Sequence, residues 1–524
     1  MKSKVVNVSE ALDLIRGGDT LAISAVGSIG YPDYVAAKLE ERYIERNSPG
    51  GLTLYSAGGH GSFNAHCNDS RFAHPGFLKR HVCTHPKVVP DLRDMIENNE
   101  LEGYVLPQGV LNQLYRCSAA RQPGILTKIG VGTYVDPRQE GGKMNSVTKE
   151  DLVRVVEMDG EEWLYYKSVP VNIAMIRGTY ADEKGNMTIE REPLKLEMLE
   201  IALAAKASGG KVIVQVERVV ENYSLKAKDV VVPGQLVDAV VVTEQPEIYH
   251  KQSGSPIYNP YISGEARSPA GAAPIHPSVL NTDDIMCRRA AFELFPEAII
   301  NLGVGVGSGT GMVAAAEGLG DMLNFTLELG VFGGTPLAPP NFGVSMNPES
   351  YVSPPTMFDF YHGGNLDVAI LGAAEVDKDG NVNVSRFAGH PNGQGGFIDI
   401  SQMARKVVFC TNLRTKGFEG EVSEGRLRVV KEGQLPKFVE KVDQITFNGK
   451  VAFEAGHEVY YITERAVFKL EKEGVALIEI APGVDLEKDI LGQMGFRPRV
   501  SGPVKVMDDC IFRPGKMGMI DRWQ

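Results

Sequence analysis

Glu328 is the residue whose type and setting most invite chemistry. It sits in Phe325-Thr-Leu-Glu-Leu-Gly330-Val-Phe-Gly-Gly334, with apolar neighbours at 325, 327, 329 and 331 and a glycine-rich turn directly after. Burial of an ionised carboxylate is costly unless the group is paired or hydrogen-bonded. On spacing alone, a strand-end Glu on an exposed edge or in a salt bridge is the simpler explanation. The alternative is a carboxylate held in an apolar setting for chemistry.

Two other patterns compete for a chemical reading. The run Ala298–Ala316 carries Gly at 303, 305, 307, 309 and 311, yet no frame of it satisfies G-x-G-x-x-G. Neither G-x-x-x-x-G-K-[ST] nor G-x-S-x-G occurs anywhere in the chain, so nicotinamide, P-loop and common hydrolase chemistry lose their support. The closely spaced glycines either allow tight strand–helix packing or offer backbone N–H groups to an anion. His60, His66, His74, His81 and His85, with Cys67 and Cys83, crowd into one short stretch. Their spacing fits no zinc pattern, so structural or surface histidines, and no metal, are expected.

The elements that position these residues come in two similar sets. Ser9 can cap a helix over 10–16 that stops at Gly17-Gly18, followed by an apolar strand over 20–25 and a loop over 26–30. Later, Asn281 or Thr282 can cap a helix with Asp283 and Asp284 in its first turn, followed by a strand over 298–302 and the glycine loop 303–311. Leu52–Gly58 echoes Phe325–Gly330, and Ala181–Asn186 echoes Val376–Asn381. Tyr55 stands where the second copy has Glu328, so any carboxylate chemistry occurs once per chain. Residues 253–280, rich in Pro, Ser and Gly, read as a linker between the halves 1–252 and 281–524. The expectation is an α/β protein of two related open domains, with ligands beyond the carboxyl ends of strands.

Composition narrows the partners. The 524 residues carry 54 Lys and Arg against 66 Asp and Glu, a net charge of −12, and no basic cluster, which argues against nucleic acid. Six scattered Cys suggest reduced thiols in the cytoplasm, and no apolar stretch near the N-terminus reads as a signal peptide. The run 298–316 is too rich in glycine for a membrane span. The 58 Gly, about 11% against an average near 7%, call for an explanation.

Several segments together bear a resemblance. Arg177–Asp182, Val214–Glu217, Pro233-Gly234 with Val237-Asp238, Gly393–Phe397, Gln444–Gly449, Tyr461–Arg465 and Ile480–Asp485 resemble, in order and spacing, the class I CoA-transferases. The likeness covers essentially the whole chain and is greatest to the fused propionate (acetate/lactate) type. It implies two tandem CoA-transferase-like α/β domains with the active site between them, a homo-oligomer, and acyl-CoA and small carboxylic acids as partners. Coenzyme A would be a substrate, with no permanently bound cofactor. The nucleophile implied is Glu328, with Gln108 of Pro107-Gln108-Gly109 holding the oxyanion. Gly395 and Gly396, with Gly393, are implied to lie against CoA and supply an N–H to that oxyanion.

The mechanism so implied is ping-pong transfer between short-chain acids through a glutamyl-CoA thioester. An acyl-CoA hydrolase on the same fold, or a non-catalytic CoA- or nucleotide-binding protein, are the competing readings. Departures from the family pattern fall at Leu327 and Leu329, where many relatives have Ser or Asn, at Val306–Thr310 and at Arg414–Gly417. They bear on acyl specificity, and the leucines hint at a more apolar acyl site.

Overall fold

The structure is a computed structural model, and it describes residues 3–62, 67–255, 257–269, 276–337, 341, 343–500 and 502–523. It resolves into two compact units. The first comprises 1–268, 327–359 and 390–399; the second comprises 269–326, 360–389 and 400–524.

In the first unit, strands β1 (Thr20–Ile23), β2 (Leu52–Ser56), β3 (Leu78–Cys83) and β4 (Glu102–Val105) run parallel in that order. A small antiparallel sheet in which β7 (Glu161–Lys167) lies between β5 (Gly124–Thr127) and β6 (Val153–Met158) precedes β8 (Ile173–Asp182), which returns to pair with the other edge of β1. The short β9 (Met187–Thr188) caps β8 antiparallel, and β10 (Lys211–Val220) and β11 (Ala239–Val242) extend the sheet. The order β11-β10-β8-β1-β2-β3-β4 therefore switches direction between β1 and β8. A crevice at the carboxyl ends of such strands is where open α/β sheets bind ligands. The strands are short apolar runs because helices cover both faces; Leu21, Ile23, Leu54, Met175 and Ile213 form the core with Val35, Leu39 and Leu92.

The second unit repeats the pattern. Strands β12 (Ile299–Leu302) and β13 (Asn324–Leu327) are parallel neighbours, as β1 and β2 are. After Thr326 the chain passes into the first unit. There β14 (Val331–Phe332) pairs with β17 (Ser350–Tyr351), and β15 (Thr335–Pro336) with β16 (Ser345–Met346). Returning to the second unit, β18 (Val368–Gly372) pairs on the other edge of β12 and is followed by the parallel strands Lys406–Cys410 and Glu458–Ile462. The antiparallel strands Ala466–Glu471 and Gly474–Ile480 follow, and Lys505–Val506 pairs parallel to the latter at the edge.

The predicted helix starts are close, with one shift. Asn7, not Ser9, caps the first helix, Val8–Leu12, because Asn7 and Glu10 form a reciprocal capping box. Asn281 and Asp284 do the same for Thr282–Ala291. The turns at 182–186 and 377–381 are hydrogen-bonded alike. Asp182 Oδ1 accepts from the Lys184 and Asn186 amides, and Asn186 Oδ1 accepts from the Gly234 amide at 2.9 Å. Asp377 Oδ1 accepts from the Asp379 and Asn381 amides, and Asn381 Oδ1 from the Gly449 amide at 3.0 Å. Residues 257–269 of the predicted linker include a helical turn, Pro260–Ser263, and Asn347 exchanges hydrogen bonds with Ser268; residues 256 and 270–275 lie outside the described residues. Among the described residues no helix is long and apolar enough to cross a membrane.

Candidate active site

Glu328 occupies the corner of a tight turn. The Gly330 amide donates to the Leu327 carbonyl at 3.0 Å, which closes a four-residue turn with Glu328 and Leu329 at its centre. Gly330 has φ +97°, and a Cβ there would lie 2.0 Å from the Val352 carbonyl oxygen, so only glycine fits. The Val352 amide in turn donates to the Gly330 carbonyl at 2.8 Å. Leu327 and Leu329 are buried on either side, while Glu328 itself is half-buried. The leucine alternation thus anchors the turn and leaves the carboxylate at its apex.

Gln108 and the 393–396 loop are joined directly. The chain leaves β4, adopts extended backbone at Pro107 and starts the helix Gln108–Ala119, with Gln108 buried in its first turn. The Gln108 amide donates to the Gly395 carbonyl at 3.2 Å, and the Gly109 amide donates to Asp399 Oδ2 at 3.1 Å. A Cβ on Gly109 would come 2.4 Å from Asp399 Oδ1 and 2.6 Å from Phe358, so the close approach requires glycine. Asp399 places a buried carboxylate at this helix start, where the dipole favours negative charge.

The loop is docked on the end of β3. The Thr84 carbonyl accepts from both the Gln394 and Gly395 amides, each at 3.0 Å, and Tyr134 donates its hydroxyl to Gln394 Oε1. Gly395 has φ +56°. Its N–H is therefore engaged by Thr84 and its carbonyl by Gln108, whereas Gly396 is buried in the next turn position. Of the three expected glycines, Gly393 and Gly395 shape the loop, and among the described residues neither the Gly393 N–H nor the Gly396 N–H makes a backbone hydrogen bond that docks it.

His60 and His81 of the histidine stretch join a buried polar cluster around Asp69. Asp69 is fully buried; it accepts from Tyr31 at 3.0 Å and from Ser56 at 2.5 Å, with His60 at 3.4 Å and His81 at 3.7 Å. Burial alone would raise its pKa, but the charge and hydrogen bonding of His60 and His81 hold it well below the usual carboxylate range. Burial also pushes the His85 imidazole down to about 4. His74 contacts Glu40, and His66 lies outside the described residues. Among the described residues no group of His, Cys, Asp and Glu side chains is arranged for a metal ion.

The glycines at 303–311 follow the packing reading. Cβ atoms at Gly303, Gly307, Gly309 and Gly311 would come within 2.7–2.9 Å of Leu371, Ile370, Cys287 and Leu302. They bring the Thr310–Glu317 helix close to its sheet.

Residues that sequence reasoning missed are tertiary in origin. Thr84 and Tyr134 serve the loop through a carbonyl and a hydroxyl, and no spacing marks either. Glu197 is buried at the start of the helix Met198–Ala207, and burial pushes its carboxyl up to about 8, against the backbone amides of Ala25 and Glu197 itself.

Comparison with known proteins identifies the family. A family model described as Coenzyme A transferase matches residues 5–243. Over 515 residues the chain is 43% identical to a caffeate CoA-transferase of Acetobacterium woodii, covering 97% of each chain. It is 42% identical over 518 residues to the acetate CoA-transferase YdiF of Escherichia coli O157:H7, covering 98% of this chain and 96% of the relative. The crystal structure of the YdiF apoenzyme superposes with a TM-score of 0.93 at 41% identity, covering 99% and 97% of the two chains. A second YdiF structure, described as a thioester complex with CoA, gives 0.92 at the same identity. The chain belongs to the class I CoA-transferases, of the fused type with both domains in one polypeptide. Its fold is the tandem CoA-transferase fold that the sequence predicts.

Proposed function

We propose that this CoA-transferase moves CoA from a short-chain acyl-CoA to a free carboxylic acid through a covalent intermediate on Glu328. The observation that carries the reading is the Leu327–Gly330 turn. It holds an ionisable carboxylate at its apex between two buried leucines, in the unit that also contains Gln108 and the 393–396 loop. The thioester complex of YdiF with CoA supports it.

The steps balance without an external base. Glu328 attacks the thioester carbonyl, the C–S bond breaks, and CoA leaves as thiolate from an acyl-glutamyl anhydride. The thiolate then attacks the glutamyl carbonyl, releasing the first acid as carboxylate and leaving glutamyl-CoA thioester. A second carboxylate reverses both steps and departs as its CoA ester, with Glu328 restored. Each tetrahedral oxyanion needs donors fixed in advance. The Gln108 side-chain amide and the Gly396 N–H fill that role, while Gly393 and Gly395 hold the loop. Thioester is exchanged for thioester, so no nucleoside triphosphate enters.

The two curated relatives name different acids, acetate and caffeate. The buried leucines beside Glu328 favour an apolar acyl group, and short aliphatic acids are the class proposed. Incubation with acetyl-CoA followed by peptide mass spectrometry tests the mechanism. CoA attached at Glu328 is expected, and acetate, propionate and caffeate are then compared as acceptors. Absence of the adduct, with normal transfer by Glu328→Ala, refutes the mechanism. Stoichiometric release of free CoA without acceptor turns the reading to a hydrolase.

A further inference from the structure

A cluster of buried polar groups lies beside β1 and is not used by the chemistry above. Glu197 is 1% exposed, and the Ala25 amide, two residues past the end of β1, points at its carboxyl. Among the described residues, Glu197 Oε1, Ser24 Oγ and Tyr115 Oη are buried without hydrogen-bond partners. Leu196, directly before Glu197, is buried with φ +46°, a left-handed conformation that strains a leucine backbone. A Cβ on Gly30 would come 2.2 Å from the Leu196 Cδ1, so this strained residue fills the space beneath the loop that follows β1. Strain of this kind persists only where its surroundings enforce it, and it gathers at functional sites.

The same loop reaches the nucleophile turn. A Cβ on Gly343 would meet Leu329 Cδ1 at 2.6 Å and Val26 Cγ1 at 3.8 Å, so both methyl groups flank Gly343. Val26 follows the residue that Glu197 holds, and Leu329 follows Glu328. We propose that Glu197 is a positioning residue for the acyl subsite: its buried carboxyl fixes Ala25-Val26 and so sets the apolar wall that Val26, Gly343 and Leu329 form beside Glu328. The assignment rests on Glu328 being the nucleophile. A neutral carboxyl suits this place, since ionisation would put a charge against the wall, and burial keeps Glu197 protonated up to about pH 8. The charged and titratable groups facing it are Glu200 on its own helix, which Arg116 offsets at 3.7 Å, and Tyr115 on the Gln108–Ala119 helix.

The test is steady-state CoA transfer from acetyl-CoA to acids of increasing chain length between pH 6.5 and 9.5. Acceptor carboxylates stay ionised throughout that range. For the wild type, KM for the acid rises above pH 8, by about tenfold per pH unit at the limit, while kcat changes little. Glu197→Gln removes that rise, and Val26→Ala shifts preference towards longer acids. The inference is overturned if Glu197→Gln keeps the alkaline rise or if Val26→Ala leaves chain-length preference unaltered. Should Glu197→Gln fail to fold, a wild-type KM that is flat across the range overturns it as well. CoA attached at Glu328 is checked in each protein, so failure of the nucleophile assignment is separated from failure of the wall.

Discussion

Gly393→Ala is expected to cut turnover about 100-fold while leaving the protein folded. Gly393 has φ +81°, so alanine meets a left-handed penalty of about 1 kcal/mol. The larger effect is steric. The new Cβ would lie 2.5 Å from both Pro86 Cδ and the Thr84 carbonyl oxygen and 2.6 Å from His85 Cα, roughly 0.9 Å inside ordinary contact. Two of these three neighbours are backbone atoms, so the loop must retreat. The two bonds from the Gln394 and Gly395 amides to Thr84, about 1 kcal/mol each, would lengthen or break. A shift of about 1 Å at a catalytic donor costs on the order of 100-fold in rate. Gly389 supplies the control, since it has the same φ of +81° with no atom within 4 Å of a built Cβ. Gly389→Ala carries the strain without the clash and is expected to lose less than about threefold. Initial rates of CoA transfer, with thermal denaturation of each variant, decide the matter. Equal rates for the two variants would refute the claim that docking on Thr84 sets the loop.

Other substitutions read separate parts of the structure. Gln108→Ala should lower kcat by about 100-fold or more with a smaller change in KM, as for removal of one oxyanion donor, measured by steady-state kinetics. Arg177→Met strands Glu192, to which it is bonded at 2.6 Å and 2.9 Å in a buried pair, and should cost about 3–5 kcal/mol in urea denaturation. Glu192 is held at about 2 by Arg177 and His250 against burial, so the stability it contributes is present at neutral pH and lost as pH falls from about 4.5 towards 2. Glu197 runs the other way. Its raised pKa makes the wild type lose stability as pH climbs from about 4.5 to 8, so Glu197→Gln should gain about 3 kcal/mol at pH 7 and almost nothing near pH 4.5 in denaturant titrations.

The repeat was readable because it rests on local chemistry. Apolar runs, Asx turns and glycines recur at matched places, and the Asp182–Asn186 and Asp377–Asn381 turns carry the same hydrogen bonds. The start of the first helix shifted because Asn7 and Ser9 are both competent caps, and only the reciprocal bond from Glu10 separates them. Glu328 stood out through its leucine neighbours, whose alternation forecasts the burial around it. Gln108 came into view only by likeness to a family, because a glutamine in the first turn of a helix has no distinctive spacing. The histidine spacing argued for structural or surface histidines, but a sequence does not reveal that Asp69, Ser56 and Tyr31 bind one another in the interior. Glu197 was invisible for the same reason: a buried carboxyl is defined by what folds over it.

The first unit gathers its parts from three separate stretches of chain, the last ending at Asp399. During vectorial synthesis from the N-terminus, its sheet is complete once residue 242 has emerged, yet the turn of Glu328 and the loop that seats on Thr84 do not then exist. More than 150 further residues must leave the ribosome before Asp399 can meet Gly109. The nascent chain therefore carries a finished sheet without the Glu328 turn and the seated loop for much of its translation. A chain truncated between residues 242 and 399 should keep the folded sheet and fail to transfer CoA.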